Sequence, residues 1–134
     1  MTGKIIITVL IVVLLLTFTV RCFADTGKGG KSYRSVSMAE GMKMMAASES
    51  FVLLDVRRPE EYKGGHIPGA VLLTNETMTP ALAERLVPDK GKEVYVYCRS
   101  GRRSKDAAGK LVKMGYTNVI EIGGILDYYG QLEK

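Results

Sequence analysis

The sequence predicts an α/β fold, a mainly parallel central sheet flanked by helices on both faces. Three observations carry that expectation. β-rich apolar runs alternate along the chain with segments of helical periodicity. The run Phe51 to Val56 (FVLLDV) is apolar but for Asp55, as in a strand covered on both faces. Glycine and proline punctuate the junctions, at Gly64-Gly65, Pro68-Gly69, Pro88, Gly91, Gly115 and Gly123-Gly124.

In chain order, the first segment stands outside that fold. Ile5 to Val20 is a sixteen-residue run whose polar members are Thr8, Thr17 and Thr19. Lys4 precedes it and Cys22-Phe23-Ala24 follow, which puts small residues at the third and first positions before Asp25. This is the pattern of a secretory signal peptide cleaved after Ala24. Residues 1–24 are therefore expected to direct export and the rest to work outside the cytoplasm, in the periplasm. An uncleaved membrane anchor is the alternative, although the run falls short of the roughly 17 to 25 apolar residues that span a bilayer. Lipid attachment at Cys22 is disfavoured by the bulky Arg21 before it.

Asp25 to Lys31 (DTGKGGK) is polar and glycine-rich, a flexible leader. Residues 32–134 read as one domain, with chain enough for a single core and none for a second. Ser37 with Glu40 forms a capping-box pattern, and Met38, Met42 and Met45 recur on one face of a helix reaching Ala47. Phe51 to Val56 is the next strand, and Pro59 opens a short helical turn through Tyr62. Gly64-Gly65 ends that turn, His66 to Gly69 is a loop, and Ala70 to Leu73 is a short strand. Thr79-Pro80 opens a helix to Val87, Pro88 to Gly91 is a turn, and Glu93 to Tyr97 (EVYVY) is a strand. Ser104 to Met114 is a helix with Ala107, Ala108, Leu111 and Val112 inward and Gly115 as its cap. Asn118 to Ile122 is the last strand, Gly123-Gly124 a turn, and Ile125 to Leu132 a closing helix.

The formal charge of +5 falls to +3 when Lys4 and Arg21 leave with the signal segment. That mild excess excludes a nucleic-acid partner. The one dense basic group, Arg99, Arg102, Arg103 and Lys105, surrounds Cys98. Cleavage also removes Cys22, which leaves Cys98 as a single thiol in a compartment where disulfides normally form. No internal disulfide is open to it, so the thiol requires a functional explanation.

Cys98 falls at the end of the strand Glu93 to Tyr97, before the next helix, where open α/β sheets bind ligands. The segment Cys98-Arg99-Ser100-Gly101-Arg102-Arg103 can curl so that successive backbone N–H groups point at the sulfur. A helix starting near Ser104 adds its positive N-terminal end. Both features favour a thiolate, as do the arginines. Gly101 supplies backbone freedom, the arginines suit an anionic donor, and Ser100 and Ser104 add hydroxyls. A free cysteine at a strand end is often a small core residue. Four cationic side chains within the seven positions after it argue against that here.

Cys98-Arg99-Ser100-Gly101-Arg102-Arg103-Ser104 resembles the active-site loop of rhodanese domains. Leu54-Asp55-Val56-Arg57, Pro59-Glu60-Glu61-Tyr62 and Gly65-His66-Ile67-Pro68-Gly69-Ala70 resemble the family's other signatures, in the usual order. With Gly123-Gly124-Ile125 the resemblance covers residues 34–134. It implies a cysteine, here Cys98, that accepts sulfane sulfur as a persulfide and hands it to a nucleophile, with no metal or organic cofactor. Arg103 matches the arginine that shapes the loop and binds substrate, Arg102 falls at a variable position, and Arg99 and Ser100 match common loop residues. Asp55 and Arg57 resemble a pair near the site, with a structural ion pair as the equal alternative. His66 belongs by resemblance to a structural loop, which opposes a Cys–His dyad. Tyr128 stands where relatives often carry tryptophan.

The implied ligands are a small sulfur-containing anion, thiosulfate or polysulfide, and a thiol or cyanide acceptor, with room for a sulfur-relay protein as partner. A carrier that holds the persulfide for a partner without rapid turnover uses the same thiolate. Phosphatase or arsenate reductase chemistry fits less well, because those loops are C-x5-R and Cys98 to Arg103 is C-x4-R. A thiol-disulfide oxidoreductase lacks a second cysteine to resolve a mixed disulfide. The methionines Met38, Met42, Met44 and Met45 offer soft copper ligands, but their helical spacing marks a core face.

Overall fold

The computed structural model describes residues 32–134; the expected signal segment and leader lie outside the described residues. Its sheet has five parallel strands: β1 (Arg34–Ser35), β2 (Phe51–Asp55), β3 (Val71–Leu72), β4 (Glu93–Cys98) and β5 (Val119–Gly124). Their order is β1-β5-β4-β2-β3. The helices are α1 (Met38–Ala47), α2 (Pro59–Gly64), α3 (Pro80–Leu86) and α4 (Arg102–Lys113), with 3-10 turns at Asn75–Thr77 and Ile125–Asp127.

Strand alternation divides the core into two layers. Val94, Val96 and Cys98 of β4 pack with Leu54, Ala83, Ala107, Ala108, Leu111 and Val119 on the α3–α4 side. Tyr95 and Tyr97 pack with Leu53, Ile120, Ile122, Met38 and Met45 on the α1 side. Both faces are covered, which is why the strands read as continuous apolar runs. Met42 and Met44 are partly buried against the α1-side layer, so the methionines serve packing. Ser37 caps α1 by accepting the Glu40 N–H at 3.1 Å.

Chain order reverses at β2: β3 lies on one side of it and β4 on the other. That reversal opens a crevice at the carboxyl ends of β2 and β4, where Asp55 and Cys98 stand.

Several boundaries differ from the expectation. α4 begins at Arg102, two residues before Ser104, because Gly101 adopts φ 104° and turns the chain directly from strand to helix. Gly123 and Gly124 lie within β5, where the β4–β5 register shifts between the Val96–Glu121 and Cys98–Gly124 pairs. The expected closing helix is a single 3-10 turn, Ile125–Asp127. The chain then runs out to form an isolated antiparallel bridge between Glu133 and His66. β1 and the turn at Asn75–Thr77 carry no periodic signal and were not expected.

Candidate active site

Cys98 is the last residue of β4 and only 1% exposed. The Gly101 N–H donates to its sulfur at 3.0 Å, and its thiol donates to Ser104 Oγ at 3.5 Å. The sulfur therefore sits under the N-terminal turn of the twelve-residue α4, whose macrodipole favours an anion there. The expectation of several amides narrows to the single amide of Gly101 among the described residues. Behind the loop lies the backbone of β5: a Cβ on Gly124 would stand 2.1 Å from the Arg99 carbonyl oxygen. The Leu126 N–H donates to that oxygen at 3.3 Å, which ties the loop to the 3-10 turn.

The loop arginines divide into two kinds. Arg103 makes a bidentate ion pair with Glu61 of α2, at 2.8 and 2.9 Å, so it braces α4 against α2 and its guanidinium is already engaged. Its hydrogen bonds hold the Glu61 carboxyl below the usual carboxylate range against the opposing effect of burial. Those same bonds raise the Arg103 guanidinium. The resemblance gives this arginine the task of shaping the loop and binding substrate, and its side chain also lines the more polar cleft beside the loop. Arg99 and Arg102 are exposed at the loop, as is Ser100. Ser104 is fully buried, with its hydroxyl 2.6 Å from Glu121 Oε1.

Asp55 and Arg57 form a buried ion pair at 2.7 Å. Asp55 also accepts the Arg57 backbone N–H at 3.0 Å and the Tyr97 hydroxyl at 2.8 Å, while Arg57 donates to the Gly65 carbonyl at 2.8 Å. Burial lowers the Arg57 value, but the hydrogen bond and charge of Asp55 outweigh it. Tyr97 is pushed well up, by burial first and then by the Asp55 charge. The pair fastens the end of β2 to the His66 loop. His66 itself stacks on Tyr62 with ring centroids 3.8 Å apart, and its backbone pairs with Glu133; no bond joins it to Cys98.

Two clefts flank the loop. One, about 630 Å³, is lined by Arg57, Glu60, Arg99, Ile125, Leu126 and Leu132 among others. The other, about 580 Å³ and more polar, is lined by Asn75, Glu76, Ser100, Arg102, Arg103 and Asp106. Sequence reasoning assigned no role to Glu61 or Glu121. Glu121 leaves one signal, a carboxylate inside an otherwise apolar strand; Glu61 leaves only its place in the Pro59-Glu60-Glu61-Tyr62 segment, which does not name a partner 42 residues away.

Residues 37–131 match the family model described as Rhodanese-like domain. The chain belongs to the rhodanese-like family. Among curated proteins, this rhodanese-like chain is 42% identical over 74 residues to the thiosulfate sulfurtransferase PspE of Escherichia coli (strain K12), covering 55% of this chain and 70% of that one. It is 37% identical over 83 residues to a sulfurtransferase of Allochromatium vinosum, covering 61% of this chain and 75% of that one. Among solved structures, a rhodanese with anions from E. coli superposes with a TM-score of 0.59 at 36% identity. That match spans 63% of this rhodanese-like chain and 99% of the other.

Proposed function

We propose that this protein is a sulfurtransferase that moves sulfane sulfur from thiosulfate or a related donor to a thiophilic acceptor through a persulfide on Cys98. The observation that carries the reading is the placement of the Cys98 sulfur at the α4 N-terminus, 3.0 Å from the Gly101 amide. The thiolate attacks the outer sulfur of thiosulfate; a new S–S bond forms, the bond to the sulfite sulfur breaks, and sulfite departs with its electron pair. The Gly101 amide and the helix terminus stabilise the anionic persulfide until an acceptor attacks its outer sulfur. Arg99 and Arg102, exposed beside the two clefts, attract the anionic donor. The signal pattern of residues 1–24 places this chemistry outside the cytoplasm in the same reading.

The test incubates the protein with thiosulfate and cyanide, following thiocyanate release and intact mass beside Cys98→Ser. Thiocyanate together with a Cys98-dependent gain of one sulfur atom is the expected result. A mass gain with little turnover points to a carrier serving a partner. Absence of sulfur uptake from both thiosulfate and polysulfide overturns both readings and returns attention to oxyanion substrates.

A further inference from the structure

We propose that the cleft walled by Ile125, Leu126 and Leu132 is the acceptor subsite, that it selects an unbranched aliphatic thiol, and that Leu126 and Leu132 determine this specificity; the proposal deepens the sulfurtransferase reading above and rests on it. The two clefts beside the Cys98 loop differ in kind. The polar one is lined by Asn75, Glu76, Ser100, Arg102, Arg103 and Asp106, every one a hydrogen-bonding side chain. The other, about 630 Å³, sets the three aliphatic side chains against Arg57, Glu60, Glu61 and Arg99, while Gly64 and Gly65 complete the lining without side chains. A cleft of a few hundred Å³ is the size of small-molecule sites. Two arginines and two glutamates line it, so its charges cancel, as they do in the polar cleft. Arg57 is already bound to Asp55 and Glu61 to Arg103. The apolar wall is therefore what sets this cleft apart.

Both leucines are held there by backbone bonds. The Leu126 N–H donates to the carbonyl of Arg99, the residue after Cys98, at 3.3 Å. Leu132 comes from the other end of the segment: its neighbour Glu133 exchanges two backbone hydrogen bonds with His66, both 2.9 Å, and accepts the Gly69 N–H on Oε2 at 3.4 Å. The Leu132 side chain lies over Gly65, where a Cβ would stand 3.1 Å from Leu132 Cδ1. Although fixed in this way, Leu126 stays 58% and Leu132 48% exposed. Apolar surface held beside a reactive group and left in water is stabilised when an apolar ligand covers it.

The burial of the nucleophile sets the shape of that ligand. Cys98 is 1% exposed, and a persulfide carries the reactive atom only one S–S bond, about 2 Å, further out. The acceptor has to reach it with a narrow end, a sulfur on a primary carbon, while the chain behind lies along Leu126 and Leu132. The acceptor thiol loses its proton to water and its thiolate attacks the outer sulfur. A new S–S bond forms, the bond to Cys98 Sγ breaks with its electron pair staying on Cys98, and the acceptor departs as an alkyl persulfide. No further oxidant or reductant takes part.

The test uses the full chain carrying Cys22→Ser, so that Cys98 is the sole thiol, and follows mass gain with methyl and with n-hexyl methanethiosulfonate. The hexyl-to-methyl rate ratio cancels any change in the reactivity of the thiol itself, and glutathione gives the ratio in the absence of a protein wall. The parent ratio is expected to exceed that of glutathione by about tenfold, roughly the effect of two buried methylene groups. Leu126→Ser and Leu132→Ser are each expected to lower it, and the double variant to bring it to the glutathione value. A parent ratio equal to that of glutathione, or one that both variants leave unchanged, overturns the proposal. In a second arm, protein loaded with sulfur from thiosulfate is discharged by 2-mercaptoethanol and by 6-mercaptohexanol. The preference for the longer thiol is expected to fall in the same variants, and an unchanged preference overturns the assignment of this cleft to the acceptor. Sulfur uptake without any length preference overturns the subsite alone. A hexyl preference that depends on the leucines, in a protein that takes up no sulfur, overturns the sulfurtransferase reading alone.

Discussion

Gly123 and Gly124 are neighbours with opposite reasons for being glycine, and substituting each with alanine separates those reasons. A Cβ on Gly124 meets backbone: the Arg99 oxygen at 2.1 Å, the Arg99 carbonyl carbon at 2.4 Å and Ser100 Cα at 2.6 Å. None of these is a flexible side-chain end, so the loop itself has to retreat by about 1 Å to reach ordinary contact. Overpacking of this kind costs about 1–3 kcal/mol, which lowers Tm by about 4–8 °C per kcal/mol in a domain of this size. Under the proposed function, displacing the Cys98 loop by about 1 Å is expected to slow sulfur uptake by about 100-fold. Gly123 has φ 85° and open space where its Cβ would stand, so Gly123→Ala carries only the left-handed backbone penalty of about 1–2 kcal/mol. Thermal melts and the rate of single-sulfur mass gain from thiosulfate distinguish the pair. Both variants are expected to melt lower, and only Gly124→Ala is expected to lose uptake. Equal uptake in the two variants, or a Gly124→Ala protein that loads sulfur at the parental rate, refutes the close-packing argument.

Asp55→Ala leaves Arg57 buried without its partner and is expected to cost about 3–5 kcal/mol, measured by urea unfolding. Glu61 has a folded value below its ordinary 4.5, so the Glu61–Arg103 pair contributes stability above about pH 4.5 that disappears as pH falls through the folded value. Glu61→Gln is expected to flatten that acid limb by about 0.2–1 kcal/mol, read from Tm between pH 6 and 3. Ser37→Ala removes the α1 cap and is expected to cost about 1 kcal/mol while leaving sulfur uptake at the parental rate.

What the sequence made legible follows locality. Ser37 and the methionine spacing announced α1, and the apolar runs announced β2, β4 and β5, because each signal lies within a few residues of its effect. The start of α4 was misplaced because helix periodicity begins at the buried Ser104, whereas the geometry begins at Gly101. The closing helix failed for a related reason. Leu126 is 58% and Tyr129 93% exposed, so these apolar residues mark no buried helical stripe. Glu133 instead finds its backbone partner at His66, far back in the chain. At the site, Cys98 and its loop were readable as a continuous motif. Glu61 and Glu121 act across 42 and 17 residues, and no local pattern encodes such partnerships.

From Val96 to Cys98 strand β4 advances two residues while its neighbour β5, from Glu121 to Gly124, advances three. Removing either glycine of the pair yields the same shortened chain, in which the two strands would march in step. Ile120 and Ile122 would keep their places in the core, and Ile125 would still fall on their side of the sheet. The remaining glycine would then stand opposite Cys98, where Gly124 stands now, and the 3-10 turn and the Leu126 amide would keep their place beside the Arg99 carbonyl. The extra residue is thus absorbed locally, in the irregularity where Gly123 takes φ 85° and its amide reaches Glu121 Oε1 at 2.8 Å, and the alignment of the Cys98 loop with the turn survives its loss.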